Sequence, residues 1–165
     1  MSHLVLVMGV SGAGKSTVGT LLAERLGVPF ADADSFHPPG NIAKMSRGEP
    51  LTDADRWPWL DAIGAWLDAR GAAGGVATCS ALKQAYRDRL LAPRPAVRLL
   101  YLEGDPALIG ARQAEREGHF MPRSLMHSQF ATLEPPAPGR GTIVLSVAPP
   151  PEAIVEEALA ALRHG

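Results

Sequence analysis

The sequence is poor in several residue classes, and each shortage excludes a class of protein. It contains a single cysteine, Cys79, so an internal disulfide framework is excluded. The net charge at pH 7 is -1, which leaves no broad basic surface for nucleic acid or for a membrane. No charged leader followed by an apolar core, and no long apolar span, is visible. We therefore expect a cytoplasmic protein that binds neither nucleic acid nor membrane.

The chain nevertheless has the length and composition of an ordinary globular protein. It has 165 residues, of which 46% are hydrophobic and 20% are charged. This length suffices for one domain with a real core but is short for two. We expect one domain, residues 1–165.

Residues 9–16, GVSGAGKS, have the sequence of a phosphate-binding P-loop. They follow an apolar run and lead into a segment with helical spacing, the context that such a loop requires. Glycines let backbone N–H groups turn inward around a polyanion, and the helix N-terminus adds its positive end. An ordinary glycine-rich turn is the alternative. As a P-loop, the segment predicts that Lys15 reaches the β- and γ-phosphates and that Ser16 ligates Mg²⁺. The predicted nucleotide contacts are Gly9, Ser11, Gly12, Ala13, Gly14, Lys15, Ser16 and Thr17.

Apolar runs alternate with segments of helical spacing along the chain. Strands are predicted at residues 4–8, 28–31, 76–79, 97–102 and 142–147. Helices are predicted at 15–26, from Asp53 or Asp55 with Pro58 in the first turn, at 80–91, from Pro106 to about 117, and after residues 149–151. The segment 35–51 reads as irregular, with room for a short helical turn only. The alternation predicts a three-layer α/β fold with a parallel sheet and helices on both faces.

Two side-chain groups stand out beyond the P-loop. Asp32 and Asp34 follow the second predicted strand, and they point the same way if the chain is extended there. Arg112 and Arg116 lie four residues apart on a predicted helix, and a segment with glycine and proline follows at 118–123. That combination predicts a lid, at approximately residues 116–135.

A P-loop alone leaves a hydrolase, a switch and a kinase open. The sequence lacks the Asn-Lys-x-Asp motif that reads guanine, and it lacks an apolar run ending in Asp-Glu. These absences favour a small phosphotransferase, in which cations neutralise the γ-phosphate and a carboxylate positions the acceptor. Asp34 is the expected general base or hydroxyl-orienting group, and Asp32 is expected to hold Mg²⁺ through water.

Several motifs narrow the prediction further. They are DADSFHP at 32–38, NIAKM at 41–45, GEPLTDADR at 48–56, WPWL at 57–60, CSALK at 79–83, YRD at 86–88 and GHFM at 118–121. Together with the P-loop, they resemble gluconokinases of the short P-loop type, which are related to shikimate and nucleoside monophosphate kinases. The resemblance runs from the first strand to the last helix. It implies the nucleoside monophosphate kinase fold, a homodimer, ATP and Mg²⁺, and phosphorylation of D-gluconate at the 6-hydroxyl.

The resemblance also implies which residues bind the sugar acid and which belong to the lid. Arg56, Lys83 and Arg87 are the expected carboxylate clamp, with His37 and Lys44 as further candidates. In the lid, Arg112 and Arg116 are expected to contact phosphate or adenine, and we place Arg116 with Lys15 and Asp34 as catalytic. His119 and Arg123 complete the lid candidates, and His119 is included among the substrate contacts. Adenine is expected near residues 147–150.

Two rival readings remain open at this point. One is a kinase for shikimate or for another sugar acid. The other is a nucleotide-binding or regulatory protein without small-molecule turnover.

Overall fold

The computed structural model describes residues 3–10, 12–105, 107–109, 129–136, 139 and 141–164. Its strands are β1 (Leu4–Met8), β2 (Phe30–Ala31), β3 (Gly75–Thr78), β4 (Val97–Glu103) and β5 (Thr142–Ser146). Its helices are α1 (Lys15–Leu26), α2 (Pro39–Ser46), α3 (Asp53–Arg70), α4 (Gln84–Leu91) and α5 (Pro151–His164). Short 3₁₀ helices cover Ala33–Phe36 and Gly71–Ala73.

The five strands form one sheet in the order β2-β3-β1-β4-β5. All four strand pairs are parallel, so the carboxyl ends of the strands lie along one edge. The segments that follow β1, β2 and β3 therefore come together at that edge, which is where ligands bind in open parallel sheets. The predicted parallel α/β fold is confirmed.

The central strand β1 buries both of its faces, which explains its continuous apolar sequence. Val5 and Val7 belong to the core cluster that contains residues of α1 and α5. Leu6 and Met8 belong to the second cluster, with residues of α3 and α4. Alternate side chains of a strand point to opposite faces, so the sheet is the middle of three layers, as predicted.

Helices α1 and α5 pack on the face of the sheet that carries Val5 and Val7, and both were predicted from the sequence. Helix α1 ends at Gly27, whose φ of 68° is in the left-handed region that favours glycine at this position. Helix α5 buries the apolar side predicted for it, which consists of Ile154, Val155, Ala158, Leu159 and Leu162.

In the region from β2 to α2, the structure decides the conformation at Asp32 and Asp34, and two local predictions are wrong. The segment after β2 is not extended, because Asp32 caps the 3₁₀ helix by accepting a hydrogen bond from the N–H of Asp34. The segment predicted as irregular contains the eight-residue helix α2. Pro38 and Pro39 stand at its N-cap and first position, where a missing N–H leaves no bond unmade. Strand β2 has two residues, fewer than predicted.

Helices α3 and α4 begin at residues other than those predicted. Thr52, not an aspartate, is the N-cap of α3, and its hydroxyl accepts from the N–H of Asp55, whose carboxylate accepts from the N–H of Thr52. Pro58 consequently lies inside the helix rather than in its first turn. Helix α4 begins at Gln84, because residues 80–83 form a loop that the helical spacing did not reveal.

Most of the predicted lid lies outside the described residues, including Arg112, Arg116, His119 and Arg123. Ser11 of the P-loop lies outside them as well. The carboxylate of Asp105 accepts a hydrogen bond from the N–H of Ala107 where the chain enters this region. No helix in the described ranges is long and apolar enough to cross a membrane.

Candidate active site

The P-loop joins β1 to α1 at the carboxyl edge of the sheet. Gly12 and Gly14 have φ values of 87° and 91°, which other residues adopt with difficulty. The N–H of Ala13 donates to the carbonyl of Val10 at 3.1 Å. A Cβ on Gly9 would lie 3.1 Å from the carbonyl oxygen of Leu102, so the loop packs directly on β4. The glycines therefore give the loop both its curvature and its place on the sheet.

The side chain of Lys15 folds back over this loop. Its Nζ donates to the carbonyls of Gly9 at 2.9 Å and Val10 at 3.1 Å. Burial lowers the pKa of Lys15, and the nearby carboxylates of Asp34 and Asp32 oppose that shift. A cation thus lies within the loop, close to the two aspartates.

Ser16 and Asp32 join the start of α1 to the end of β2. The hydroxyl of Ser16 donates to Oδ2 of Asp32 at 2.6 Å, and Oδ1 of Asp32 accepts from the N–H of Asp34 at 3.1 Å. Both carboxylate oxygens are therefore oriented by the chain. The predicted pair of Mg²⁺ contacts is brought together.

The donor set of this pair fits Mg²⁺. A hydroxyl and a carboxylate are hard oxygen ligands, and Mg²⁺ commonly keeps several waters and binds substrate phosphates. Within the described ranges, no three or more His, Cys, Asp or Glu side chains form a group that could hold a metal. Ser16 and Asp32 would thus share the ion with phosphate and water oxygens.

Asp34 lies beside the P-loop and next to the cation Lys15. No described residue donates a hydrogen bond to its exposed carboxylate, in contrast to that of Asp32. Its charge opposes the lowering of the pKa of Lys15 and of His37 by burial, and it adds to the effect of burial that raises the pKa of Cys79. The carboxylate is therefore close to the loop and available to an acceptor molecule.

The 3₁₀ helix that carries Asp34 is held from both sides. The N–H of Ala33 donates to the hydroxyl of the buried Thr78 at 3.1 Å. Its carbonyl accepts from Nε1 of Trp59 at 2.7 Å. Residues of β3 and α3 thereby fix the backbone next to Asp34, which restricts the positions that the Asp34 carboxylate can take.

His37 forms one wall of the same region. Its ring stacks on Trp59, with the centroids 4.3 Å apart and the planes 9° from parallel. Its Nδ1 lies 3.3 Å from Nδ2 of Asn41, which also donates to the carbonyl of Asp55. Burial lowers the pKa of His37, so the neutral ring is favoured near neutral pH. Trp59 is itself buried in the core, and its indole ring supports the ring of His37.

Lys44 has a different environment from the one predicted. Its ammonium pairs with Oδ2 of Asp55 at 2.7 Å and so joins α2 to the first turn of α3. This hydrogen bond and the backbone bond from Thr52 lower the pKa of Asp55 to about 2. The charge of Lys44 is balanced within the protein, so the structure does not favour Lys44 as a substrate contact.

Arg56 extends from α3 toward the same site. Its Nη2 lies 3.4 Å from the carbonyl of Leu51, and its Cζ lies 5.4 Å from the centroid of Tyr86. Its Nε is buried, and no described group accepts from it. Its charge also lowers the pKa of His37, which places the two side chains close together. Arg56 is a partly buried cation with unused hydrogen-bonding capacity.

Lys83 is held by a pair of residues that the sequence did not single out for a role. Its Nζ donates to Oδ1 of Asp53 at 3.2 Å, and the hydroxyl of Tyr86 donates to the same oxygen. Lys83 also lies 5.5 Å from the Tyr86 ring centroid. Asp53 is 30 residues from Lys83, so no local spacing could have revealed this contact.

Arg87 does not have the environment predicted for a carboxylate clamp. Arg87 as a whole is 2% exposed, and its Nη1 donates to the carbonyls of Ala81 and Leu82. Its Nη2 donates to Oε1 of Gln84 and to the carbonyl of Glu134. The two terminal nitrogens are thus fully used within the protein, because each carries two hydrogens.

Cys79 is a buried residue whose thiol is not activated as a nucleophile. It is fully buried after β3, and burial raises the pKa of its thiol to about 12. The charges of Lys15, Arg56 and Asp34 all act on it. Those three charged side chains therefore lie within electrostatic range of Cys79, in the region that follows β3.

Comparisons with known proteins identify the family of the chain. The model of the shikimate kinase family matches residues 11–129. A gluconokinase from Gluconobacter oxydans (strain 621H) is 45% identical over 164 residues, which cover 98% of this chain and 90% of that protein. The chain belongs to the gluconokinase family.

Two further members support this assignment. The thermoresistant gluconokinase of Escherichia coli (strain K12) is 40% identical over 166 residues, covering 99% of this chain and 95% of that protein. The crystal structure of a gluconokinase from Sinorhizobium meliloti 1021 superposes with a TM-score of 0.91 at 48% identity. That match covers 98% of this chain and 92% of the other. The family resemblance drawn from the motifs is confirmed.

Proposed function

We propose that this member of the gluconokinase family transfers the γ-phosphoryl group of ATP to the 6-hydroxyl of D-gluconate, giving 6-phosphogluconate and ADP. The observation that carries the proposal is the position of Asp34. Its exposed carboxylate has no hydrogen-bond donor among the described residues, and its charge acts on the P-loop cation Lys15 and, together with the charges of Lys15 and Arg56, on the thiol of Cys79. A free carboxylate beside a phosphate loop suits an acceptor that carries hydroxyl groups.

The donor side of the reaction is assigned to the loop and to Asp32. The glycine-rich turn and Lys15 bind the phosphates, and Lys15 exchanges its present carbonyl partners for phosphate oxygens. Ser16 and Asp32 would hold Mg²⁺, directly and through water. When bound, that ion neutralises charge on the β- and γ-phosphates.

The acceptor side is assigned to Asp34, Arg56 and His37. Asp34 accepts a hydrogen bond from the 6-hydroxyl and receives its proton as the new oxygen–phosphorus bond forms. The bond from the γ-phosphorus to the bridging oxygen breaks, and ADP leaves with the electron pair. Arg56 supplies terminal N–H donors to the carboxylate of the sugar acid, because the one hydrogen bond described for its guanidinium is the 3.4 Å contact from Nη2 to the carbonyl of Leu51. The His37 ring, held on Trp59, lines the acceptor site.

An acceptor panel tests this proposal. ADP release is measured with D-gluconate, shikimate or AMP as acceptor, and the phosphorylated product is identified by mass spectrometry and by phosphorus NMR. We expect ADP release that depends on gluconate and a phosphate ester at C6. If gluconate stimulates ADP release no more than AMP does, the proposal is wrong.

The same panel separates the rival functions. A kinase of another sugar acid would release ADP with that acid in preference to gluconate. A regulatory protein would bind ATP without release of ADP by any acceptor. The partly buried cation beside a free carboxylate favours turnover, because nucleotide binding alone needs neither group.

Three parts of the proposal rest on sequence alone. Arg112 and Arg116 are proposed to contact the nucleotide, with Arg116 catalytic, and His119 the substrate. We also propose a homodimer, which sedimentation equilibrium tests directly. A cytoplasmic location is the third part.

A further inference from the structure

The buried guanidinium of Arg87 holds a loop at the carboxyl end of β3. It donates to the carbonyls of two consecutive loop residues, Ala81 at 2.8 Å and Leu82 at 3.2 Å. Two successive carbonyls can point at one guanidinium only when the chain turns sharply between them. The loop conformation and the position of Arg87 are therefore linked.

Ala81 shows how sharp this turn is. Its φ is 44°, and it is the one residue other than glycine with a positive φ within the described ranges. Its side chain is fully buried. A left-handed conformation is unfavourable for a residue with a Cβ, and it persists only where surrounding contacts impose it. The bonds from Arg87 are contacts of that kind.

Glu134 strengthens the same turn from a distant part of the chain. Its N–H donates to the carbonyl of Leu82 at 2.8 Å, and its carbonyl accepts from Arg87 at 2.6 Å. Its carboxylate accepts from the N–H of Gln84 at 2.8 Å, at the start of α4. Arg87 and Glu134 thus enclose residues 81–84 from two sides.

The enclosed residues 81–84 follow the end of β3 and include Lys83. The loop follows Cys79, on which the charges of Lys15, Asp34 and Arg56 act. It ends with Lys83 against Asp53 and the ring of Tyr86, over which Arg56 also lies. A change in the turn at Ala81 would therefore displace the cations on the acceptor side and leave the P-loop in place.

We propose that Arg87 is a positioning residue for the acceptor site, which acts with Glu134 by holding the turn at Ala81 and thereby placing Lys83 and the Tyr86–Arg56 pair. The inference rests on the proposed function, because the affected ligand is the sugar acid. This role differs from the predicted one, in which Arg87 binds the substrate directly. The terminal nitrogens of Arg87 are all engaged within the protein.

Arg87→Lys is the main test, with Arg94→Lys as the matched control. Lysine keeps the positive charge of Arg87 but cannot reach four acceptors in fixed directions. Arg94 similarly donates to two backbone carbonyls, those of Gly64 and Leu90, and pairs with Asp68 away from the candidate site. Both substitutions should lower the melting temperature, so the control accounts for loss of stability alone.

Kinetics distinguish positioning from a purely structural role. We expect Arg87→Lys to raise the KM for gluconate by about tenfold while the KM for ATP stays within about twofold of wild type. Arg94→Lys should leave both constants within about twofold of wild type. Equal gluconate KM values in the two variants would overturn the proposal.

Glu134→Ala distinguishes positioning from direct binding by Arg87, and it decides the question if Arg87→Lys does not fold. Positioning predicts a higher gluconate KM, because the loop loses the carboxylate that holds Gln84. Direct binding predicts an unchanged or lower KM, because a negative charge next to the guanidinium is removed. An unchanged or lower value therefore contradicts the proposal.

Hydrogen exchange gives a readout that does not depend on the acceptor. The amides of Gln84 and Glu134, which donate to the Glu134 carboxylate and to the carbonyl of Leu82, should exchange faster in Arg87→Lys than in wild type and Arg94→Lys, and unchanged exchange would overturn the proposal. If wild-type protein phosphorylates a different acceptor, the proposed function fails. The positioning role is then tested through the KM of that acceptor and through the exchange rates.

Discussion

The hydroxyl of Ser16 donates to Oδ2 of Asp32 across 2.6 Å and so links the first turn of α1 to the end of β2. The other oxygen of Asp32 accepts from the backbone of Asp34. One carboxylate therefore connects the proposed metal position to the chain that carries the proposed acceptor-orienting group. The proposed metal site and the proposed acceptor-orienting group therefore both depend on the position of the Asp32 carboxylate.

Asp32→Asn should raise the Mg²⁺ requirement of the enzyme. Asparagine keeps an oxygen for the N–H of Asp34 but removes the negative charge that would hold waters of the ion. We expect the Mg²⁺ concentration for half-maximal ADP release to rise by about tenfold, as for other groups that orient metal ligands. The measurement is ADP release against Mg²⁺ at fixed ATP. Asp68→Asn, which alters a surface ion pair with Arg94, is the control. Coincident titration curves would contradict the role of Asp32.

Asp34→Asn should lower kcat and leave ATP binding nearly unchanged. The substitution removes the acceptor of the hydroxyl proton but not the backbone contacts of the loop. We expect a decrease in kcat of roughly a hundredfold or more, which is the usual scale for a positioned general base. The KM for ATP should stay within about twofold of wild type. Steady-state kinetics in both substrates measure this. Asp61→Asn, at an exposed ion pair with Arg89, is the control, and a wild-type kcat in Asp34→Asn would refute the assignment.

Arg56→Met should weaken gluconate binding specifically. Methionine retains much of the apolar stem but removes the donors, of which Nε has no described acceptor. Hydrogen bonds to charged groups contribute enough for the gluconate KM to rise by about tenfold or more. Arg89→Met is a close control, because the Arg89 guanidinium also lies over an aromatic ring, 5.1 Å from the centroid of Trp57. The role of Arg56 fails if both variants have the same gluconate KM.

The parts of the fold that the sequence could predict are those determined by local pattern. The bounds of α1 could be predicted from the glycines before Lys15 and from the helical spacing of leucines that stops before Gly27. Continuous apolar residues in β1 followed from burial on both faces of a parallel sheet. Each of these signals lies within one element, so no knowledge of distant partners was needed.

Contacts between residues far apart in the sequence determine the features that local pattern could not predict. The backbone at Asp34 is folded rather than extended, because Thr78 and Trp59 bind the N–H and the carbonyl of Ala33. The sequence identified Arg87 as cationic but could not show that its guanidinium is held by a carbonyl 47 residues away. The sequence therefore predicted Arg56 and Arg87 alike as substrate contacts, because both are cations. The tertiary contacts distinguish them, since the terminal nitrogens of Arg87 are used within the protein.

Asp55 provides a prediction about pH, because its partners stabilise the charged form. Lys44 and the N–H of Thr52 lower its pKa from the ordinary 3.8 to about 2. A carboxyl with a lowered folded-state pKa stabilises the protein above its unfolded pKa, and this contribution is lost as the pH falls through the folded pKa. The melting temperature of wild type should thus exceed that of Asp55→Asn at neutral pH, and the gap should narrow as the pH falls from 3.8 to about 2. Thermal unfolding followed by circular dichroism across this range measures the gap.

Two matched variants make this test specific. Lys44→Met removes the partner that contributes most to the shift, so its gap to wild type should narrow over the same pH range. Thr52→Ala removes the hydroxyl that accepts from the N–H of Asp55, which costs about 1 kcal/mol when lost from an N-cap and which lowers the pKa of Asp55 less than Lys44 does. Its gap should vary less with pH than those of the other two variants. A gap between wild type and Asp55→Asn that stays constant down to low pH would show that the charge of Asp55 does not stabilise the junction of α2 and α3.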